Sequence, residues 1–515
     1  MEQDLRKKVG QLFMVGFDGL QPNDHIEGLI REHRIGGVIL FRRNVHTPEQ
    51  VARLCLQLQQ INAEVSDVPL LISIDQEGGM VMRIEQGVTP IPSAMAFQAA
   101  GSVPDCERMN RVSGDEMRQL GINLMLAPVL DINNNRDNPV IGVRAYGEDA
   151  ATVIDYGLAA MRGQQSAGVA VTAKHFPGHG DTATDTHHAM AQVGHDKARL
   201  QAVELAPFRA AIAAGVDAIM TAHVMFPAFE DGAGVPATLS KNVLSGLLRG
   251  EMGFEGAIIS DCLEMAAIAD GVGVPQGALG TLQAGADIAL ISHSQARQTA
   301  AIEAVVQAVH DGAISMQQID AALARVARLK QVAAVRDWRS LPALPPSLMA
   351  PAAMALSQQL HAAALQVQGA CPALDPVLPV TLITVEVRAR SEIDEVALGR
   401  NCEARGSMHD GLQAAGFEVR EFALSVQAPD DEVDAAIAFA QGAQQIVLQS
   451  YNAVLSSGQR RLIAALAHER LWLVAGRLPY DMDLAPGAQG RLAAFGCRPA
   501  ALAPVVDRLS RLATA

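Results

Sequence analysis

Residues 174–188 read K-H-F-P-G-H-G-D-T-A-T-D-T-H-H and set four His, two Asp and one Lys among Pro and Gly breakers. An apolar run, Val169 to Ala173, precedes them, and the next helical pattern begins near Asp196. A loop that long with no apolar period of its own is functional or disordered. Groups that need fixed partners argue for function. Asp185 and His187 are two residues apart, so on extended or turn backbone their side chains share a side. The carboxylate would then bond one imidazole nitrogen, set the tautomer and raise the basicity. The other nitrogen is left for proton transfer. His179 and His188 are rivals for that role. Metal ligation by His175, His179, Asp181, His187 and His188 is the weaker chemistry. Its H-x3-H spacing crosses Pro177 and Gly178 and cannot form a helical i,i+4 pair. No metal and no cofactor are expected.

A second carboxylate, Asp261 in I-I-S-D-C-L-E-M, follows an apolar run. An acid at the end of a buried strand is partly desolvated and suits a nucleophile or an electrostatic stabiliser. The structural alternative is an N-cap for a helix starting at Leu263. Asp75, in I-D-Q-E-G-G-M-V-M-R, precedes a Gly78-Gly79 turn and Arg83. Asp accepts from paired sugar hydroxyls, and Arg presents a planar fork to oxygen. Arg144 lies in a loop of its own, N-P-V-I-G-V-R-A-Y-G-E-D. Lys174 at a strand end requires something anionic or polyhydroxylated to meet it.

These groups need a scaffold, and eight short apolar runs supply it: Leu12–Phe17, Gly36–Phe41, Leu70–Ile74, Ile122–Leu130, Val169–Ala173, Ala218–Ala222, Gly256–Ser260 and Ile288–Ile291. Amphipathic segments such as Pro48–Val65, Ala150–Ala167 and Ala198–Ala214 lie between them, and Gly168 and Gly215 fit left-handed helix ends. Continuous apolar strands with helical crossovers are what a parallel sheet buried on both faces requires. Eight such units predict a (β/α)8 TIM-like barrel, with a doubly wound open sheet as the alternative. Asp75, Asp131, Lys174, His175, His223, Asp261 and His293 all follow strands, at the end where barrels place their active sites.

The prolines of R-S-L-P-A-L-P-P-S-L mark a linker over residues 339–350, after a barrel of residues 1–338. Residues 351–515 open with a helix, Pro351–Val367. Five more runs follow: Val380–Val387, Phe417–Leu424, Gln445–Leu448, Leu471–Val474 and Arg491–Phe495. They predict a smaller α/β sandwich domain without a phosphate-binding Gly fingerprint.

At 515 residues the chain is too long for one core. Its net charge of −15 excludes a general nucleic-acid binder. Six Cys at 55, 106, 262, 371, 402 and 497 form no C-x-x-C pair, which suits a reducing compartment. No apolar run approaches the roughly 18 residues of a membrane span. Met1 to Phe17 shows no small-residue cleavage site. A cytoplasmic enzyme is the expectation.

The motifs I-D-Q-E-G-G, N-P-V-I-G-V-R-A-Y-G, K-H-F-P-G-H-G-D-T-A-T-D-T-H and G-F-E-G-A-I-I-S-D-C-L-E-M, in that order, resemble glycoside hydrolase family 3 and its bacterial beta-N-acetylglucosaminidase subgroup. R-L-P-Y-D-M and A-A-F-G-C-R-P-A echo its two-domain members. The resemblance implies retaining hydrolysis of terminal beta-linked N-acetylglucosamine from muropeptide or chitin-derived fragments. It implies Asp261 as nucleophile, His187 as general acid/base and Asp185 as its partner. It implies Asp75, Arg83, Arg144, Lys174 and His175 as holders of the sugar ring. A small carbohydrate is then the partner, with neither nucleic acid nor membrane. Most retaining glycosidases use two carboxylates. A neutral imidazole in place of one repels an anion less, so a phosphorylase on the same site is the alternative. A non-catalytic sugar-binding cleft is a second. Met80 stands where the subgroup often has Arg, and Cys262 where Asp is common.

Overall fold

The computed structural model describes residues 2–182, 190–230, 234–341, 345, 348–386 and 408–511. All eight apolar runs form strands. They are β1 (Phe13–Val15), β2 (Gly37–Leu40), β3 (Leu71–Ile74), β4 (Leu124–Met125), β5 (Ala170–Phe176), β6 (Ala218–Thr221), β7 (Ala257–Ile259) and β8 (Ala289–Ile291). Their order is β7-β6-β5-β4-β3-β2-β1-β8, and every pairing is parallel. One further parallel bridge, Ile259 to Ile288, with Leu263 N–H donating to Leu290 O, joins β7 to β8. The sheet is therefore a ring, not the open alternative. Strand residues are buried throughout, as Val, Ile, Leu and Ala packed between a filled interior and an outer layer of helices must be.

The helices begin and end where their side chains dictate. Thr47, Asp149 and Ser294 cap by accepting from the backbone N–H three residues on. Gly168 and Gly215 take positive φ of 84° and 81° just past helix ends, a conformation a β-carbon resists. The Ala198–Ala214 helix is corrected to two pieces, Lys197–Ala202 and Ala206–Ala213. Pro207 cannot donate to a continuous helix, and buried Glu204 sits in the break, accepting from Asn134 and Arg199. β5 also runs past Ala173 to take in Lys174 and His175, which the sequence reading put in the loop. Only Leu124–Met125 of the Ile122–Leu130 run is strand. Pro128 has no N–H to give the ladder, and Val129 rejoins it by a bridge to Lys174.

The C-terminal sheet consists of β9 (Gln366–Gln368), β10 (Val380–Glu386), β11 (Val419–Ser425), β12 (Ile446–Ser450), β13 (Leu471–Ala475) and β14 (Gly490–Ala493). Its order is β9-β14-β13-β12-β10-β11, with only β9 antiparallel. Two apolar clusters lie on its opposite faces, as in an α/β sandwich. β9 corrects the sequence reading, in which the helix ran to Val367. The helix stops at Ala364, and Gln366 to Gln368 pair with Ala493 to Arg491 at the sheet edge. No helix among the described residues is long and apolar enough to cross a membrane.

Candidate active site

The C-terminal ends of the barrel strands open on a cavity that is partly open to solvent. Asp75, Arg83, Arg144, Lys174, His175 and Asp261, from four separate stretches of chain, all line it. Asp185 and His187 lie outside the described residues, as does His188.

Asp261 follows β7. Its backbone N–H donates to Thr221 Oγ1 at 3.3 Å, and its Oδ1 accepts from Cys262 N–H at 2.7 Å. The next regular helix, Ala266–Ala269, is capped at Met265, so Asp261 is not the helix cap that Leu263 suggested. Neighbouring strand ends brace the turn. His223 Nε2 bonds Cys262 O at 2.8 Å while its Nδ1 meets Thr238 Oγ1 at 2.8 Å. Burial pushes the Cys262 thiol up to about 12, so it lines the cavity as a neutral, weakly polar group.

Opposite stands a charged knot that the sequence reading only half saw. Lys174 Nζ lies 2.6 Å from Asp75 Oδ1 and 2.7 Å from Glu77 Oε1. Arg144 grips Glu77 with both arms of its fork, at 2.9 and 2.8 Å, and Arg83 lies 3.3 Å from Asp75. The lysine is 2 % exposed, so its charge survives only through these partners. Burial alone would raise the Asp75 carboxyl, but Lys174 and Arg83 outweigh it and hold Asp75 below the usual range. Burial opposes the Glu77 charge too, and Arg144 and Lys174 push it far down. Glu77 is the residue missed. It lies two positions after Asp75, and that parity was the available signal.

Asp131, read only as a strand-end residue, is the third anchor. Fully buried, it accepts from His175 N–H, from His179 N–H at 2.6 Å and from His175 Nδ1 at 2.7 Å. Burial would raise it, and His175 and His179 together draw it down. One carboxylate thus ties His175, near the end of β5, to His179 four residues on, shortly before the stretch that holds Asp185 and His187. His179 Nδ1 meets Thr182 Oγ1 at 2.9 Å, and burial presses its imidazole down to about 4.

The rest of the lining is mostly apolar, with Ile39, Phe41, Val81, Met220, Met265 and Leu290 among it. Such a mixture of fixed charges and apolar faces suits a sugar ring, whose hydroxyls meet the charges and whose C–H faces meet carbon. Among the described residues, two groups bring metal-ligand atoms within 4.8 Å of one another: Cys262, Glu264 and His293, and Asp181, His195 and Glu204. Their carboxylates already serve the fold. Glu264 accepts from the N–H groups of His293 and Ser294, Asp181 meets His195, and Glu204 meets Asn134 and Arg199.

Residues 4–329 match the family model described as the glycosyl hydrolase family 3 N terminal domain. The chain superposes on the structure of a glycoside hydrolase family 3 beta-N-acetylglucosaminidase from Paenibacillus sp. with a TM-score of 0.92. The two are 45% identical, covering 98% of this chain and 96% of that one. It is 36% identical to Beta-hexosaminidase A of Pseudoalteromonas piscicida over 59% of this chain; the match spans only 54% of that protein. A Beta-hexosaminidase of Stenotrophomonas maltophilia is 36% identical over 55% of this chain and 84% of its own length.

Proposed function

The chain belongs to glycosyl hydrolase family 3, and from that membership we propose that it is a retaining beta-N-acetylglucosaminidase. It removes terminal non-reducing beta-linked N-acetylglucosamine by double displacement. Asp261 attacks the anomeric carbon while His187, oriented by Asp185, protonates the departing glycosidic oxygen. The covalent glycosyl-aspartate is then hydrolysed by a water that gives its proton to His187, which restores both groups. Asp75, Arg83, Arg144, Lys174 and His175 hold the ring, Arg144 acting through its grip on Glu77.

The observation that carries this reading is convergence: Asp261 shares one cavity with Asp75, Arg83, Lys174 and His175. The names of the similar proteins support the N-acetylhexosamine specificity. Muropeptide sugars or chitin-derived fragments met in the cytoplasm are the proposed substrates, with peptidoglycan recycling as the proposed role. The division into a barrel of 1–338, a linker of 339–350 and a domain of 351–515 is part of the same proposal.

The test is turnover of an aryl beta-N-acetylglucosaminide with and without phosphate, with products resolved. Free N-acetylglucosamine in both conditions supports the hydrolase. N-acetylglucosamine 1-phosphate formed only with phosphate turns the reading into a phosphorylase using the same residues. Sugar binding without turnover leaves a non-catalytic cleft.

A further inference from the structure

The residues that hold the ring include Arg83, and the charged knot includes Glu77. Glu77 stands on a short hairpin, Gln76–Gly78 paired antiparallel with Val81–Met82, and Arg83 is the residue that follows it. The base of the hairpin is closed by the Gln76 side chain, which donates to Ile84 O at 2.8 Å and accepts from Ile84 N–H at 3.1 Å, and on the barrel side Lys174 and Arg144 hold Glu77. Beyond the base the returning strand alternates. Val81 and Arg83 line the cavity, and Met80 and Met82 turn the other way.

Met80 turns toward the C-terminal domain, and Met82, which packs in the barrel's own apolar cluster, shares a small cavity with Phe495 and Arg498. Met80 is 2 % exposed and sits in that domain's apolar cluster with Leu478, Tyr480 and Phe495. Its sulfur lies 3.6 Å from Cys497 Sγ. Arg498 reaches under the hairpin and donates to Met80 O at 3.0 Å and to Met82 O at 3.5 Å, while pairing with Glu85 at 3.1 Å. The adjoining segment is tied as well, since Ser93 Oγ donates to Phe495 O at 3.0 Å. Gly79, at φ 55°, lies so close to Ser93 that a β-carbon there would stand 2.4 Å from the serine Cβ, so the hairpin packs directly on that segment.

We propose that Arg498 of the C-terminal domain is a positioning residue for the sugar site, fixing the Gln76–Met82 hairpin so that Glu77 and Arg83 face the cavity. This rests on the glycosidase reading given above. Arg498 touches no substrate; it supplies the partners for the backbone carbonyls on the outer side of the strand whose inner side binds the ring. The barrel alone would then be an incomplete glycosidase.

The experiment uses the full chain with Arg498→Met and Arg498→Lys, an aryl beta-N-acetylglucosaminide, and amide hydrogen exchange over residues 76–86. Wild-type turnover is measured first, and its absence sinks the glycosidase reading, not this one. With an active wild type, Arg498→Met should raise KM on the order of tenfold with kcat little changed, because ring holders act in ground and transition states alike. Exchange in the hairpin should quicken, and Arg498→Lys should recover part of the loss. An unchanged KM in folded Arg498→Met, or hairpin exchange that stays slow, overturns the proposal. So does an equal fall in kcat with no change in KM.

Discussion

Lys174 and Glu77 meet across the barrel mouth, Nζ to Oε1 at 2.7 Å, from β5 and from the hairpin after β3. The contact is what lets a lysine stand almost fully buried on the rim of the cavity. It also divides the labour around the cavity: one wall is set by mutually neutralising charges, the other presents Asp261.

That division makes Glu77 a residue whose loss is felt in stability. Glu77→Gln leaves Lys174 and Arg144 short of an anion in a buried site, at a cost of about 3 kcal/mol. Urea unfolding of the variant should show it. The exposed Arg31–Glu64 pair, broken by Glu64→Gln, should give no measurable change.

Asp261→Ala should lower kcat on the order of 1,000-fold or more, with N-acetylglucosamine still binding. Steady-state kinetics beside a binding titration of the sugar separates the two effects. Retained turnover would remove the nucleophile assignment.

For His187→Ala the leaving group decides the outcome. Alkyl and sugar aglycones need protonation and should lose on the order of 100-fold or more, while activated aryl glycosides lose far less. A series of substrates graded by leaving-group pKa reads this directly. Equal losses across the series would pass the role to His179 or His188.

His179 predicts a pH dependence of stability. Its folded imidazole is pressed down to about 4, below the ordinary 6.5 it regains on unfolding. Between those values the unfolded chain binds a proton that the folded one does not, so stability falls as pH drops from about 6.5 to about 4. The full effect is about 3 kcal/mol. Urea midpoints across that range should slope downward toward acid in the wild type and flatten in His179→Gln. The carboxylates Asp75, Glu77 and Asp131 are held low, so their contribution is lost only in more acidic solution.

The barrel was legible in the sequence because strands buried on both faces leave uninterrupted apolar runs, and all eight runs form strands in ring order. Strand ends were less so. Lys174 and His175 looked like loop because charge is rare inside a parallel strand, and only the fold brings up Asp75, Glu77 and Asp131 to receive them. Arg144 was read as a ring holder, and nothing in the sequence announced that its fork also pairs with Glu77. The role of Asp131 was beyond reach, since a carboxylate that bonds backbone N–H groups 44 and 48 positions away leaves no local pattern. The second domain's hold on Met80 and Met82 was equally hidden, because backbone carbonyls carry no side-chain signature. Glu77 was within reach, for its two-residue offset from Asp75 is the plain period of extended chain.

The closed ring carries a consequence for how the protein is made. β1 pairs on one side with β2, which follows it closely, and on the other with β8, so Phe13 waits for Ala289, which is 289 − 13 = 276 residues later. A ribosome adding about 5–20 residues per second leaves that edge of β1 bare for on the order of tens of seconds. Bare strand edges invite pairing with foreign chains, so the nascent barrel is most exposed to misassembly in that interval. Asp75 and Lys174 emerge early and Asp261 late. The last barrel strand to be translated is thus also the one that shields the first, and the cavity comes into being only when the newest part of the barrel reaches back to the oldest.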